Sequence, residues 1–451
     1  MSIIYKNIDN NSQYSTSSHT NHKSSTTSIP LLIFVFIMGF ASAQRFLLPE
    51  LSSLICIILL VFPLVTGIHD KQYLTIFFLS IVSIADLGGL VYSETPSAVK
   101  YLIYVSILGF MALKLDFVIN KNHRYILLFS VFVVLNTFLH PNSLDSYTLA
   151  RDILTLFLLL FVSLSLATKN IYLIEAKYIL YFSIGILASE IFNIFSSYTV
   201  LSGDYLNYSS FKFLALFPVI YFLSYRKYYT AAIVAPISFM VIGVYASRML
   251  LITGILVCLI LAFNGFRKSF WHTLLLFVIS IVISLIILQF LDVDLQAYRV
   301  LSIFFTMNSF NDLTSAALFL DPVRFAENTV FFEQNLFNLL LGNGLGTGII
   351  DETGIFSFVP NDGAAFSPKE LNESHFFRLH DSWTWIGFRF GLLAYLLFVF
   401  WGVKGCFSKN PETALFAAFM LLALFNATFS IGGLIACAVL ALHYKLLSAY
   451  R

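Results

Sequence analysis

The chain has 451 residues, 59% of them hydrophobic and 11% charged, with 49 Phe and a net charge of +2. Its mean hydropathy is +0.85. Soluble domains carry about 25% charged residues, so this composition excludes an ordinary soluble domain and points to an integral membrane protein, in which the distribution of charge matters more than its sum.

Residues 1–29 are rich in Ser, Thr and Asn, and a disordered cytoplasmic tail is expected there. Its histidines, His19 and His22, have no further ligands nearby and read as solvated tail. The first apolar run ends in Ala41-Ser42-Ala43, which resembles a signal-peptidase site. The polar stretch before it is far longer than an ordinary n-region, so a retained helix is expected.

A spanning helix needs about 20 mostly apolar residues. Fourteen candidates follow: 30–48, 51–68, 73–92, 98–115, 124–140, 152–168, 176–196, 211–225, 229–246, 249–265, 270–291, 381–402, 412–428 and 431–447. The first pair and the last pair are separated weakly, and merging either lowers the count. The expected fold class is therefore all-α, a polytopic transmembrane helix bundle of about 12–14 spans. It divides into an N-terminal bundle at 30–291, one large loop at 292–380 and C-terminal helices at 381–451.

Lys and Arg fix the orientation. With the N-terminus inside, sixteen fall in inside segments, against five (Arg45, Lys100, Arg151, Lys212 and Arg248) in the short outside ones. Both termini are then cytoplasmic and the 292–380 loop lies outside. That loop carries eleven acids against Arg299, Arg324, Lys369 and Arg378, which excludes a nucleic-acid role, since phosphate backbones demand a basic surface. Within it, 322–341 has apolar residues at helical spacing and predicts an amphipathic helix lying on the membrane or on the bundle. The cysteines are Cys56, Cys258, Cys406 and Cys437. Three fall in apolar runs and Cys406 in a short loop; they form no disulfide framework, and no metal cluster is expected. No repeat of fixed period is evident.

Charge inside a membrane is costly and usually has a reason. Asp86, Glu190, Arg45 and Arg389 fall in outer halves of their helices. They read as interhelical ion pairs, as the lining of a cavity that opens outward, or as both, since paired residues often line cavities. Arg151, Lys212 and Arg248 stand at outer helix ends. Each alone can snorkel to lipid headgroups. Several converging would make an anion site, for which the Arg fork is best suited.

Between the loop and the next helix runs Leu341-Gly-Asn-Gly-Leu-Gly-Thr-Gly348. A nucleotide-loop reading fails, because Thr347 and Ile349 stand where a G-x-G-x-x-G pattern needs glycine. Gly342, Gly344, Gly346 and Gly348 instead predict a flexible, hinge-like and closely packed entry to the membrane. Then comes His380-Asp-Ser-Trp-Thr-Trp-Ile-Gly-Phe-Arg-Phe-Gly391. Helical steps of 100° put Thr384, Gly387 and Gly391 on the face of His380, with Arg389 roughly opposite. Gly387-x-x-x-Gly391 allows close approach of another helix. His380 reads either as an interfacial hydrogen-bonder or as a base, His being the side chain best suited to take a proton near neutral pH.

In order along the chain, Ser247-Arg248 in a turn, the large outside loop with Arg324, the Gly-x-Gly-x-Gly entry, and His380 with Gly391 eleven residues on resemble the O-antigen polymerase and O-antigen ligase superfamily. Asp381 stands where that family has Asn. The resemblance covers roughly residues 200–405. It implies a metal-independent glycosyltransferase of the bacterial inner membrane, without cofactors, its large loop periplasmic. Its substrate would be an undecaprenyl-pyrophosphate-linked oligosaccharide, and a chain-length regulator would be a further partner beside membrane lipid. Arg248, with Lys212 or Arg151, would hold the pyrophosphate. His380 would serve the attacking hydroxyl, and Asp381, Arg324, Gly344, Gly346, Gly391 and Arg389 would support the site. A polymerase of lipid-linked repeat units is preferred; a ligase acting on lipid A core and a flippase are the alternatives.

Overall fold

The computed structural model describes residues 29–43, 121–139, 144–146, 148–150, 152–153, 176–200, 214–244, 248–265, 275, 278–279, 322–358, 366, 368–377, 379 and 382–425. Runs of Leu, Ile, Phe and Ala with few breakers favour structure that satisfies its backbone locally, and 82% of these residues are helical.

The first packed pair is α1 (Ile29–Ala43) and, later in the chain, α3 (Ala176–Val200). Gly39 lies against the Phe182 carbonyl and Gly185 against that of Phe36, so close that any Cβ would collide. Further along both helices, Asn193 Nδ2 donates to the Ala43 carbonyl at 2.8 Å. The two helices therefore run parallel, joined by the small-residue contact that lets backbones approach. Between them in sequence lies α2 (Lys121–Thr137).

Four further helices complete the main core. They are α4 (Phe217–Ser224), α5 (Tyr228–Val244), α6 (Arg248–Gly265) and, near the end of the described chain, α12 (Pro411–Phe425). Val35, Phe182, Phe217, Phe239, Val257 and Phe416 fill the space between them. Their contacts fix directions. Tyr225, just after α4, donates to Glu412 at the start of α12 at 3.5 Å. Gly254 in α6 meets Leu216 at the start of α4. So α4 and α6 begin at the end of the bundle opposite to the start of α12.

A second core caps that same end. It is built on α7 (Pro322–Glu333), α8 (Leu336–Leu341), a short antiparallel pair β1 (Ile349–Ile350) and β2 (His375–Phe376), a 3-10 turn at Ile355–Phe358, and α9 (Pro368–Glu373). The register pairs Ile349 with Phe376 and Ile350 with His375. Phe331, Phe356, Phe366, Phe376, Leu379, Trp385 and Phe388 form its interior, joined by Val133 of α2. The chain then enters α10 (Ser382–Phe390), turns at Gly391 (φ 89°) and continues as α11 (Leu392–Cys406). The connection from α11 to α12 is short and the two helices pack together.

Several expectations need correction. The single span at 381–402 is two helices, because Gly391 occupies a backbone region closed to most L-residues. The single amphipathic helix at 322–341 breaks at Gln334. There Asn335 caps α8 by accepting from the Asn338 N–H at 2.9 Å. The loop expected to contain amphipathic helical segments also contains the β1–β2 pair. The span at 211–225 is an eight-residue α-helix preceded by one 3-10 turn. Cys406 is not in a loop but ends α11, fully buried.

One described helix, Ala176–Ile194, is long and apolar enough to cross a membrane. The apolar stretches at Pro30–Ala41, Leu127–Thr137, Leu214–Ser224, Tyr228–Ile242, Leu250–Phe263, Leu392–Cys406 and Pro411–Leu422 are shorter. The expected spans at 51–68, 73–92, 98–115 and 431–447 lie outside the described residues, as do nearly all of 152–168 and 270–291 and most of the 1–29 tail. Several described helices turn apolar stripes outward: Leu128, Val131 and Leu135 on α2; Tyr229, Ile233 and Ile237 on α5; Ile252 and Leu256 on α6; Leu393, Leu396, Leu397 and Phe400 on α11.

Candidate functional site

The segment Gly342–Gly348 runs through the middle of the capped end. Gly342, Gly344 and Gly346 have φ of 81°, 84° and 70°. A Cβ on Gly344 would sit 2.5 Å from the Thr137 backbone, and one on Gly346 2.5 Å from the Leu149 side chain. Glycine is needed twice over there, for its conformation and for the approach of other chain segments.

Those neighbours hydrogen-bond to nearly every residue of the segment. Asn136 Nδ2 donates to the Gly342 carbonyl at 2.7 Å. The N–H groups of Asn343 and Gly344 donate to the carbonyls of Phe388 (2.8 Å) and Arg389 (3.1 Å) at the end of α10. Leu345 N–H donates to Thr137 Oγ1 at 2.8 Å, and Gly346 N–H to Asp152 Oδ2 at 2.9 Å. Asp145 N–H donates to the Gly346 carbonyl at 3.0 Å, and Leu144 bridges to Thr347. Asp145 Oδ2 also accepts from the Thr148 N–H at 2.8 Å, in the manner of an N-cap. The hinge expected here is instead a laced segment, its flexibility removed by partners from three distant parts of the chain.

At its centre is a buried ion pair. Arg389 Nε lies 2.7 Å from Asp152 Oδ2, with both side chains fully buried. Arg389 Nη1 donates to the Thr347 carbonyl and Nη2 to that of Phe377 at 3.4 Å. All three guanidinium nitrogens are thus engaged by protein. Arg389 cannot offer its fork to a phosphate without dismantling this contact, so its place in the site is structural. The ion pair expected for Arg389 is present, with Asp152 as its partner.

The remaining expected site residues fall as follows. Arg248 opens α6, so its backbone stands at the capped end, where α10 and α11 begin. Its side chain lies outside the described residues, as do His380, Asp381, Lys212, Arg151, Asp86 and Arg45. Leu379 is buried in the capping core and Ser382 starts α10. Just upstream, Glu370 Oε1 accepts from the Phe377 N–H at 2.9 Å. Gly387, on the face assigned to His380, packs against the Phe331 ring, and Gly391 against the backbone of Leu340 and Leu341. The small-xxx-small pattern therefore receives α7 and α8. The other face of α10 is buried as well, by the Arg389 contact. Arg324 is half-buried on the first turn of α7, and Glu190 is buried in α3, where its Oε2 accepts from Asn193 at 3.3 Å.

Sequence reasoning missed Asp152, Asn136, Thr137 and Asp145. The available signal was the presence of polar side chains within or at the edge of apolar runs at the same outer boundary. Among the described residues, no three His, Cys, Asp or Glu are grouped to hold a metal ion. No family model, curated protein or solved structure matches this chain.

Proposed function

We propose that the protein is a polytopic inner-membrane enzyme that joins polyprenyl-pyrophosphate-linked oligosaccharide units at the outer face of the membrane. The observation that carries this reading is the rigid framework at one end of the bundle. The Arg389–Asp152 pair and the glycine segment hold α10 at the end of the bundle where the backbone of α6 begins at Arg248. The outward apolar stripes support the membrane part. Soluble monomers rarely expose contiguous apolar surface on this scale, whereas lipid-facing helices do.

In the proposed reaction, a hydroxyl of the acceptor glycan attacks the anomeric carbon of the donor sugar. The bond from that carbon to the pyrophosphate oxygen breaks, and the lipid pyrophosphate leaves with its electron pair. His380 accepts the hydroxyl proton or orients it. Arg248, with Lys212 or Arg151, stabilises the charge gathering on the pyrophosphate. The capping core beside the site would shield the glycans from water and favour transfer over hydrolysis.

The test is purified protein in detergent with the lipid-linked unit as sole substrate. A ladder of polymer is expected from wild type, and none from His380→Ala or Arg248→Ala at unchanged protein level. Normal polymer from both variants would overturn the proposal. In a deletion strain, lipid A core bearing a single repeat marks a lost polymerase. Loss of all attached glycan marks a ligase instead.

A further inference from the structure

The α7–α8 elbow carries a surface that the reaction does not use. Phe332, Leu336 and Phe337 are 57%, 70% and 56% exposed. The six residues of α8, Leu-Phe-Asn-Leu-Leu-Leu, contain no charge and none is fully buried. The exposed Glu333 and Asn335 lie beside these apolar side chains along the chain.

Its position follows from the glycine contact. A Cβ on Gly342, at the end of α8, would lie 2.5 Å from the Gly391 N–H group, and Gly391 packs on Leu340 and Leu341. Thus α8 sits against the first turn of α11. From that turn, Leu393, Leu396, Leu397 and Phe400 form an exposed stripe down one side of α11, with the i, i+3, i+4, i+7 spacing of a single helical face. The end of α8 thus lies at the turn of α11 from which this stripe starts. If α11 crosses the hydrocarbon, α8 lies at its outer boundary.

We infer that Phe332, Leu336 and Phe337 form a foot that inserts into the acyl chains just below the outer headgroups of the bilayer the bundle crosses. Helices with one apolar face settle into that boundary, their apolar side chains about 5–10 Å deep. The foot is joined through Asn343 to the site. Asn343 Nδ2 donates to Gln334 Oε1 at 2.6 Å, in the link between α7 and α8, and its backbone N–H donates to Phe388 in α10. Anchoring the elbow in lipid therefore sets the height of the glycine segment, and of the chain leading into α10, relative to the membrane surface. For a lipid-linked substrate that height decides where the pyrophosphate meets the protein. The inference rests on the membrane reading above.

The experiment uses the full chain in nanodiscs, with the four native cysteines replaced by Ala and a bimane label on Leu336→Cys or, separately, on Phe400→Cys. Emission is read with phospholipids brominated on the acyl chains and with aqueous iodide. The expected result is loss of emission with brominated lipid at both sites and none with iodide. Quenching at Phe400 by lipid, but at Leu336 by iodide, would overturn the foot while leaving the membrane reading intact. So would a Leu336 label that neither reagent reaches, as when a second copy of the chain covers it. A Phe400 label quenched by iodide and not by lipid would overturn the membrane reading itself.

Discussion

Removing one partner of the Arg389–Asp152 pair should be among the most damaging single changes available. Arg389→Leu removes the cation 2.7 Å from the fully buried Asp152 carboxylate, and it strips the Thr347 and Phe377 carbonyls of a donor. Breaking a buried pair in this way costs roughly 3–5 kcal/mol, because a charge is left without compensation. Asp152→Ala does the converse, taking the carboxylate from the guanidinium and the acceptor from the Gly346 N–H. If the two losses were independent they would sum to about 6–10 kcal/mol. The double variant removes both charges together, so it should cost no more than the more damaging single change, a coupling of about 3 kcal/mol or more. Arg389→Lys should be intermediate, since one ammonium cannot reach three acceptors held in a fork. Thermal unfolding in detergent, followed by retention of monodisperse protein, gives the order: wild type, then Arg389→Lys, with the double variant no worse than the more damaged single. An Arg389→Leu protein as stable as wild type, or a double variant losing the full sum, would refute the reasoning.

The glycine segment makes a sharper contrast. Gly344→Ala and Gly354→Ala both place a Cβ at positive φ, which costs about 1–2 kcal/mol. Gly354 has nothing within 4 Å, whereas Gly344 would drive its Cβ into the Thr137 backbone. The same melting assay should show Gly354→Ala mildly destabilised and Gly344→Ala far more so. Cys258 and Cys406 are 1% and 0% exposed. Maleimide should therefore leave both unlabelled in the native protein and modify both only after denaturation, as mass spectrometry of the peptides will show.

How much of this was legible depends on the range of each interaction. The helical class was plain from composition, since apolar runs without breakers leave the backbone few alternatives. That Arg389 needed a partner was also readable, because a buried cation is costly wherever it sits. Which partner was not, since Asp152 is 237 positions away. In sequence Asp152 is simply the first residue of an apolar run, beside Arg151 at a helix end. The small side of the glycines was readable as close packing. Their rigidity was not, because it comes from acceptors and donors on residues 136–152. Gly387 and Gly391 were read as two points on one continuous helix. Only the approach of Leu340 and Leu341 explains why the second of them is a break.

On the membrane reading, the contacts also constrain topology, independently of the charge count. Segments that touch at one end of the bundle must be separated by an even number of crossings. Thr137 and Asp152 meet the glycine segment, and six expected spans lie between Asp152 and Gly344. Tyr225 meets Glu412, and four lie between them. The parallel pairing of α1 with α3 is the most demanding case. It requires that the spans at 30–48 and 176–196 cross in the same direction, hence an odd number of crossings between them. The five at 51–68, 73–92, 98–115, 124–140 and 152–168 satisfy this. Merging the weakly separated first pair into one span would leave four and force α1 antiparallel to α3, against the contacts of Gly39, Gly185 and Asn193. The packing of two helices over 130 positions apart thus argues for a crossing between the first helix and residue 70, at the point where hydropathy separates the spans least.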